Sequence, residues 1–229
     1  MTGFRRFAIY YAPGKGALAD FAADWLGWNP ATGQARRHPA VAGLPCPVAD
    51  ITATPRKYGF HGTIKPPFRL ADGSSRTALE QDLADLATTL APARLDGLAL
   101  HPLGRFLALT PEGCPRALTA LAARVVRGLD AHRAPAPPDE LARRRARGLG
   151  PAQEENLLRW GYPYVMEEFR FHMTLTGKLP RADLRAVEDA LRPILIPLLP
   201  RPFMLDTLCL FGEDEAGRFH LLNRYALTG

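Results

Sequence analysis

The sequence predicts an α+β protein whose single chain forms two similar lobes. Short runs of β-forming residues alternate with amphipathic helical segments, and one strand–helix–strand–strand pattern occurs twice. Apolar residues make up 47% and charged residues 23% of the 229 residues, a balance that excludes wholesale disorder. The 22 prolines are about twice the usual share of about 5%, which predicts short elements joined by stiff loops.

The elements of the first half follow from apolar spacing and from breaks at proline or glycine. A run of β-formers at 7–11 ends before Pro13-Gly14 and predicts a strand, and apolar residues at helical spacing predict a helix over 17–28. Five prolines between 29 and 58 predict mostly loop. A strand at 60–65 is expected to stop at Pro66-Pro67. Leucines four apart predict a helix over 76–90, and a strand pair follows at 94–100 and 106–109.

The second half repeats this order after one additional segment. A helix is predicted at 115–129, and prolines then separate it from a basic helical stretch over 139–160 that is interrupted near 148–151. The remaining elements are a strand at 169–176, a helix at 181–191 and strands at 203–211 and 219–226.

Three strings of the first half recur in order in the second half at nearly constant spacing. They are FHGTI at 60–64 with FHMTL at 171–175, LDxLxL at 95–100 with 205–210, and GRF at 104–106 with 217–219. The simplest interpretation is a duplicated lobe, with a segment of about 133–160 inserted between the copies. We therefore predict one bilobal domain over 1–229, with lobes of about 1–114 and 115–229.

The paired strings place two histidines and two threonines on equivalent strands. Side chains two apart in a strand share a face, so His61 lies beside Thr63, and His172 beside Thr174, with Lys65 continuing the first polar row. A pseudo-twofold axis would bring both faces to one cleft. One imidazole could then accept a proton while the other donates one, and the hydroxyl groups could hold phosphate oxygens. This is the chemistry of metal-free phosphodiester cleavage, and it suits cyclic phosphates.

Other interpretations of these histidines are weaker. A single histidine in an apolar strand is commonly structural, but recurrence of the whole string argues against that role. The sequence has no HxH or HExxH motif, so we expect no metal and no cofactor. His38, His101, His132 and His220 have no matching partners and are expected to be structural or surface residues.

Longer strings around these motifs resemble the two-histidine (2H) phosphoesterase superfamily, which includes proteins similar to RNA 2′,5′-ligase and cyclic phosphodiesterases. The bacterial branch named for phosphonate metabolism is the most similar, through YYAP at 10–13, RKYGFHGTIK at 56–65, WGYPY at 160–164 and FRFHMTLTG at 169–177. The resemblance implies two pseudo-symmetric lobes, with antiparallel sheets and outer helices around a central cleft. It also implies that His61 and His172 are catalytic and that Thr63 and Thr174 bind phosphate. The name of the branch suggests a phosphoribosyl cyclic phosphate as substrate.

Further side chains near the motifs are candidate substrate contacts. They are Tyr10, Tyr58, Lys65, Tyr162, Tyr164 and Arg170. Arg105 and Arg218 are assigned to the surface. The run RRRAR at 143–147 would wrap around a helix, so we expect a solvated helix rather than a nucleic-acid contact, in a segment that leaves room for a lid.

Charge and cysteine content complete the predictions. The net charge of +6 favours an anionic partner, here a small phosphate ester. Three widely spaced cysteines are expected to be reduced, and the N-terminal apolar run is too short for a signal peptide or a membrane span, so we expect a cytoplasmic monomer. Two alternatives stay open: a protein that binds RNA or processes RNA ends, and a duplicated fold that serves as a scaffold or ligand sensor.

Overall fold

A computed structural model describes residues 3–229 and confirms the α+β class. The strands are β1 (Arg6–Tyr11), β2 (Trp28–Asn29), β3 (Gln34–Ala35), β4 (Gly62–Phe68), β5 (Ala93–Leu95), β6 (Gly97–Leu103), β7 (Phe106–Glu112), β8 (Met173–Thr174), β9 (Phe203–Leu205), β10 (Thr207–Glu213) and β11 (Phe219–Ala226). The helices are α1 (Ala17–Leu26), α2 (Val48–Ile51), α3 (Arg76–Thr88), α4 (Arg116–Gly128), α5 (Pro138–Arg145), α6 (Pro151–Trp160) and α7 (Arg181–Leu195).

Seven of the strands form one antiparallel sheet in the order β11-β10-β1-β4-β8-β7-β6. The pairs β2-β3 and β5-β9 form two small ribbons beside it. The shortest strand pairing in the large sheet lies at its centre, where β4 and β8 are paired only at Gly62 and Met173. We call this pairing the joint. The two histidine strings meet at this joint.

The two copies of the repeated pattern exchange strands across the joint. The first copy contributes β4 to the half of the sheet that holds β10 and β11, which belong to the second copy. The second copy contributes β8 to the half that holds β6 and β7 from the first copy. The predicted boundary near residue 114 therefore divides the chain but does not divide the sheet.

The sheet has one face covered by helices and one face open to the candidate site. Phe7 and Ile9 of β1 belong to the main core, with buried residues of α1, α3, α4 and α7. The alternate residues Ala8 and Tyr10 pack instead in a smaller cluster on the opposite face, with Phe211 and other apolar residues. Alternate side chains of β1 thus point to the main core on one face of the sheet and toward the candidate site on the other.

The strands predicted at 94–100 and 203–211 are each divided in two, because β5 and β9 pair apart from the large sheet. Two predictions at the histidine motifs also need correction. β4 does not stop before Pro66-Pro67 but continues to Phe68. The register between β1 and β4 shifts between the pairs Phe7–Phe68 and Ile9–Lys65, so the extra residue of this bulge lies where the prolines cannot donate to the ladder. The strand predicted over 169–176 is reduced to the two residues of β8. Each histidine therefore lies just before its strand, and each threonine lies within it.

The additional segment forms two separate helices, as its glycine-rich interruption predicts. α5 ends at Arg145 and α6 begins at Pro151. Cys46, Cys114 and Cys209 are free thiols. In the part of the chain from residue 3 onward, none of the helices has the length and apolar character needed to cross a bilayer.

Candidate active site

The central strand pair places each histidine beside the threonine of the other motif. Pairing of Gly62 with Met173 in an antiparallel ladder puts His61 opposite Thr174 and Thr63 opposite His172. Gly62 and Met173 are buried, whereas the four polar residues are half-buried. All four side chains consequently belong to one face of the sheet.

Both imidazole rings are fixed in the same way by the backbone. Nδ1 of His61 lies 3.0 Å from the carbonyl oxygen of Gly59, and Nδ1 of His172 lies 2.8 Å from the carbonyl oxygen of Arg170. A carbonyl only accepts, so each Nδ1 carries the proton and donates it to the residue two positions earlier. In the neutral ring, Nε2 is then the free acceptor. Thr63 Oγ1 lies 3.3 Å from Nε2 of His61, within reach of donating to it.

The ring of His61 is packed among aromatic side chains, and its pKa differs from that of an ordinary histidine. Its ring stacks on Tyr10 with 3.8 Å between centroids, and Phe211 lies 6.3 Å away. Burial lowers the pKa of His61 from 6.5 to about 4; the bond to Gly59 opposes this shift, and the nearby His172 adds to it. His61 is therefore neutral near pH 7, with Nε2 able to accept a proton.

Two cavities flank the central strand pair and gather most of the predicted site residues. The first, of about 230 Å³, is lined by His61, Thr174 and Tyr58. The second, of about 370 Å³, has a larger set of predicted residues in its wall. These residues are Thr63, His172, Tyr162, Tyr164 and Arg170. The geometry thus supplies one histidine and one threonine to each cavity.

Tyr10 and Arg170 lie at the site in roles that their sequence positions do not reveal. The prediction that Tyr10 contacts substrate is wrong in this structure: Tyr10 is only 1% exposed, and its ring packs against that of His61 instead. Burial raises the pKa of Tyr10 well above 10.0. One guanidinium nitrogen of Arg170 donates to the carbonyl groups of Glu167 and Phe169, both at 2.9 Å. The Arg170 side chain thus orders the loop that contains the Arg170 carbonyl, to which His172 donates.

The prediction that Lys65 contacts substrate is wrong in this structure. Lys65 is 2% exposed, and its ammonium group donates to Asp130 and to the carbonyl of Val126, both at 3.1 Å. Tyr10 pairs with Thr63 whereas Ile9 pairs with Lys65, so β4 has a bulge at Ile64. Residues on either side of a bulge do not follow simple alternation, and Lys65 turns toward α4 instead of sharing the face of Thr63.

Phe106 is a site residue that the sequence reasoning missed. It lines the first cavity, and its ring centroid is 5.9 Å from that of His172. Phe106 belongs to the repeated Gly-Arg-Phe string, and its recurrence in both halves could have marked it as a site residue. The arginine of that string, Arg105, donates to the carbonyl of Leu179.

The remaining histidines have structural partners, as expected. His38 contacts the carbonyl of Trp25, His101 contacts Thr110, His132 contacts Ser74 and Asp82, and His220 contacts Asp214. Across residues 3–229, no group of three or more His, Cys, Asp or Glu side chains is arranged to hold a metal ion.

One family matches most of the chain, from Thr63 of β4 onward. The family described as "Protein of unknown function (DUF1045)" matches residues 63–220, which include Thr63 and the whole second motif. The chain belongs to the DUF1045 family. The description of this family assigns no activity, so the function of this DUF1045 protein is argued below from its site.

Two curated relatives carry an enzyme name. The protein is 36% identical over 222 residues to a "Ribose 1,5-bisphosphate phosphokinase PhnN" of Janthinobacterium sp. (strain Marseille), covering 93% of this chain and 48% of the relative. It is 34% identical over 220 residues to a protein of the same name from Laribacter hongkongensis (strain HLHK9), covering 93% and 49%. The DUF1045 chain thus spans about half the length of the curated relatives it matches.

Similar solved structures include a phosphoesterase and Escherichia coli LigT. The phosphoesterase is 16% identical, covers 98% of this chain and 99% of its own, and has a TM-score of 0.43. LigT complexed with 3′-AMP is 18% identical, with coverage of 99% and 100% and a TM-score of 0.42.

Proposed function

We propose that this DUF1045 protein is a metal-independent phosphodiesterase that hydrolyses a small cyclic phosphate ester. The observation that carries the proposal is the matched pair of imidazoles, each with Nδ1 bound to the carbonyl two residues earlier. This arrangement leaves both Nε2 atoms for proton transfer on one face of the sheet. Two such groups are what acid–base cleavage of a phosphodiester requires.

His61 acts as the base and His172 as the acid. Nε2 of His61 takes a proton from water, and the resulting hydroxide equivalent attacks phosphorus. His172 starts doubly protonated: the bond from phosphorus to the ester oxygen of the cyclic phosphate breaks, and that oxygen receives the proton held on Nε2 of His172. One water is consumed and one phosphate monoester and one hydroxyl group are formed. The two rings then exchange protons with solvent to return to their starting states. The lowered pKa of His61 supports this assignment because it keeps the base unprotonated.

Thr63 and Thr174 hold the non-bridging phosphate oxygens. Each hydroxyl lies across the strand pair from the histidine of the other motif, so a phosphate between the rings would contact both. Donors placed where negative charge develops lower the barrier because they need no reorganisation during the reaction. Cavities of about 230 and 370 Å³ on the two sides suit a small ester.

The substrate that we favour is ribose 5-phosphate carrying a 1,2-cyclic phosphate. Cleavage of the bond between phosphorus and O2 of this compound gives ribose 1,5-bisphosphate, which is part of the name of both curated relatives. The present chain has no GxxxxGK[ST] sequence of the kind that cradles a nucleotide phosphate. We assign the named kinase activity of the relatives to the half of them that this chain does not match.

The test is turnover of this cyclic phosphate in the presence of EDTA. Wild-type protein should release a phosphate monoester, which phosphorus NMR can detect. His61→Ala and His172→Ala should each lower kcat by about 10²- to 10⁴-fold, the usual contribution of a positioned acid or base. His101→Ala is the matched control, since His101 is an exposed histidine whose ring is hydrogen-bonded to Thr110, away from the two cavities. Unchanged turnover in either single variant, or loss of activity in EDTA, would contradict the mechanism.

An RNA ending in a 2′,3′-cyclic phosphate, included in the same assay, tests the RNA alternative. A preference for the RNA that collapses as salt rises would favour RNA-end processing. A preference for the sugar phosphate would favour the substrate proposed here.

A further inference from the structure

A third cavity, separate from the two that flank the histidines, is lined almost entirely by arginine. Its volume is about 370 Å³, and we call it the arginine cavity. Its lining residues are Arg6, Arg69, Glu140, Arg143, Arg144 and Arg147. They come from β1, from the end of β4 and from α5 with the turn after it, so the additional segment closes this cavity over the sheet.

The charges in the arginine cavity do not cancel. Glu140 is shared by Arg69 and Arg144, Glu213 pairs with Arg6, and Asp139 pairs with Arg143. Five guanidinium groups against these three carboxylates leave 5 − 3 = +2. Burial alone would raise the pKa of Glu140, but hydrogen bonds from Arg144 and Arg69 lower it, so this carboxylate stays ionised. A phosphate monoester has a charge of about −1.5 to −2 at pH 7, which matches the excess.

Two of the arginines have donors left over. Nε of Arg144 is buried and has no hydrogen-bond acceptor. Arg147 forms no ion pair with any of residues 3–229. The guanidinium group of Arg147 is exposed and lines the cavity, so a phosphate oxygen there could accept a strong charge-assisted hydrogen bond from it.

The arginine cavity adjoins the candidate active site. The guanidinium of Arg144 lies over the ring of Tyr162 at 4.7 Å, and Tyr162 lines the cavity that contains Thr63 and His172. On β1, Arg6 lies on the same face as Tyr10, four residues away, and Tyr10 stacks on His61. The arginine cavity is therefore a neighbour of the cavity with Thr63 and His172, through the contact of Arg144 with Tyr162.

We propose that the arginine cavity binds a second, non-reacting phosphate monoester of the substrate. The inference rests on the proposed function and adds to it: the substrate is a phosphorylated sugar, and its remote phosphate sets specificity. The same cavity could in chemical terms accept free phosphate, so the experiment separates the two sources.

The experiment compares kcat/KM for ribose 1,2-cyclic phosphate with and without a 5-phosphate. Wild type should prefer the phosphorylated compound, and Arg147→Gln should lower the ratio of the two values by about tenfold or more, the effect of losing one hydrogen bond to a charged group. Arg145→Gln is the matched control, because Arg145 lies on the same turn but pairs with Glu154 outside the cavity. A wild-type ratio near one, or equal ratios in all three proteins, would overturn the inference while leaving the hydrolase intact.

Binding measurements keep the inference testable if no cyclic phosphate is hydrolysed. Ribose 5-phosphate, titrated calorimetrically, should bind wild type and Arg145→Gln equally and bind Arg147→Gln about tenfold or more weakly. Equal binding to all three proteins would overturn the site. If inorganic phosphate binds as tightly as ribose 5-phosphate and stimulates hydrolysis of the unphosphorylated compound, the cavity serves a free anion and the proposed role is wrong.

Discussion

His61 and His172 owe their orientation to carbonyl groups two residues earlier in the chain. Gly59, whose carbonyl holds His61, has φ of +69°, a conformation that favours glycine. A Cβ there would also lie 2.7 Å from Pro30. Arg170, whose carbonyl holds His172, is fixed instead by its own side chain on the neighbouring backbone. Both rings therefore donate to the carbonyl two residues earlier, but a glycine conformation positions that carbonyl for His61 and an arginine side chain positions it for His172.

The low pKa of His61 is open to direct measurement. Because burial favours the neutral ring, we expect the carbon-bound ring protons of His61 to titrate near pH 4 in NMR spectra, with His61→Ala used to assign the signal. From pH 4 upward the ring is neutral, so kcat/KM should rise through about pH 4. A titration midpoint near 6.5 would contradict both the burial argument and the assignment of His61 as the resting base.

At the scale of elements, the joint between β4 and β8 depends on a glycine. A Cβ on Gly62 would lie 2.3 Å from two ring carbons of Phe171, far closer than van der Waals contact. Phe171 is buried in the main core and precedes His172 directly. The first motif therefore needs glycine where the second carries Met173, its partner in the ladder.

Gly62→Ala should destabilise the protein and disturb the site. Displacing a buried ring in a packed core typically costs about 1–3 kcal/mol, which denaturant unfolding can measure. Turnover should fall as well, because Phe171 cannot move without His172. Gly14→Ala is the control: its added Cβ would meet nothing within 4 Å, and a change within about 0.5 kcal/mol is expected. Equal stability of the two variants would show that Phe171 relaxes freely.

At the scale of the molecule, Lys65 links the sheet to the helical layer. Its buried ammonium group reaches the end of α4 and Asp130, which also receives two hydrogen bonds from Arg133. Burial lowers the pKa of Lys65 from 10.5 to about 8, although Asp130 opposes the shift. Lys65 is thus a structural cation rather than a ligand for substrate.

Asp130→Ala should cost about 3–5 kcal/mol at pH 7, because it leaves a buried cation without its partner. Since the folded pKa of Lys65 is below the unfolded value, the folded protein loses this proton first and gains stability as pH rises from about 8 toward 10.5. Without Asp130 the ammonium group loses its proton at a lower pH than in wild type, so the deficit of the variant should shrink as pH rises toward about 8 and change little above it, in denaturant unfolding. Asp139→Ala, which removes an exposed pair with Arg143, should cost less than about 1 kcal/mol at either pH. A deficit that stays constant with pH would contradict this role of Lys65.

The sequence predicted the element types and the meeting of the histidine strings because those depend on local periodicity and on repetition. The bulge at Ile64 was not predictable in this way, since one extra residue changes the face of Lys65 without changing the apolar pattern. The arginine cavity was also hidden. The run at 143–147 has the pattern of a solvated helix, and only the fold brings Arg6 and Arg69 to it.

The exchange of strands between the two copies bears on how such a chain could arise. A single ancestral copy would carry one histidine strand and one hairpin, with an unpaired edge between them. Two separate copies would complete each other by trading histidine strands, which is the arrangement of β4 and β8 in this sheet. Under the duplication hypothesis, the ancestor would be a strand-swapped homodimer with the paired histidines on its twofold axis. Gene fusion would have made its identical halves free to diverge, one keeping glycine and the other methionine at the joint.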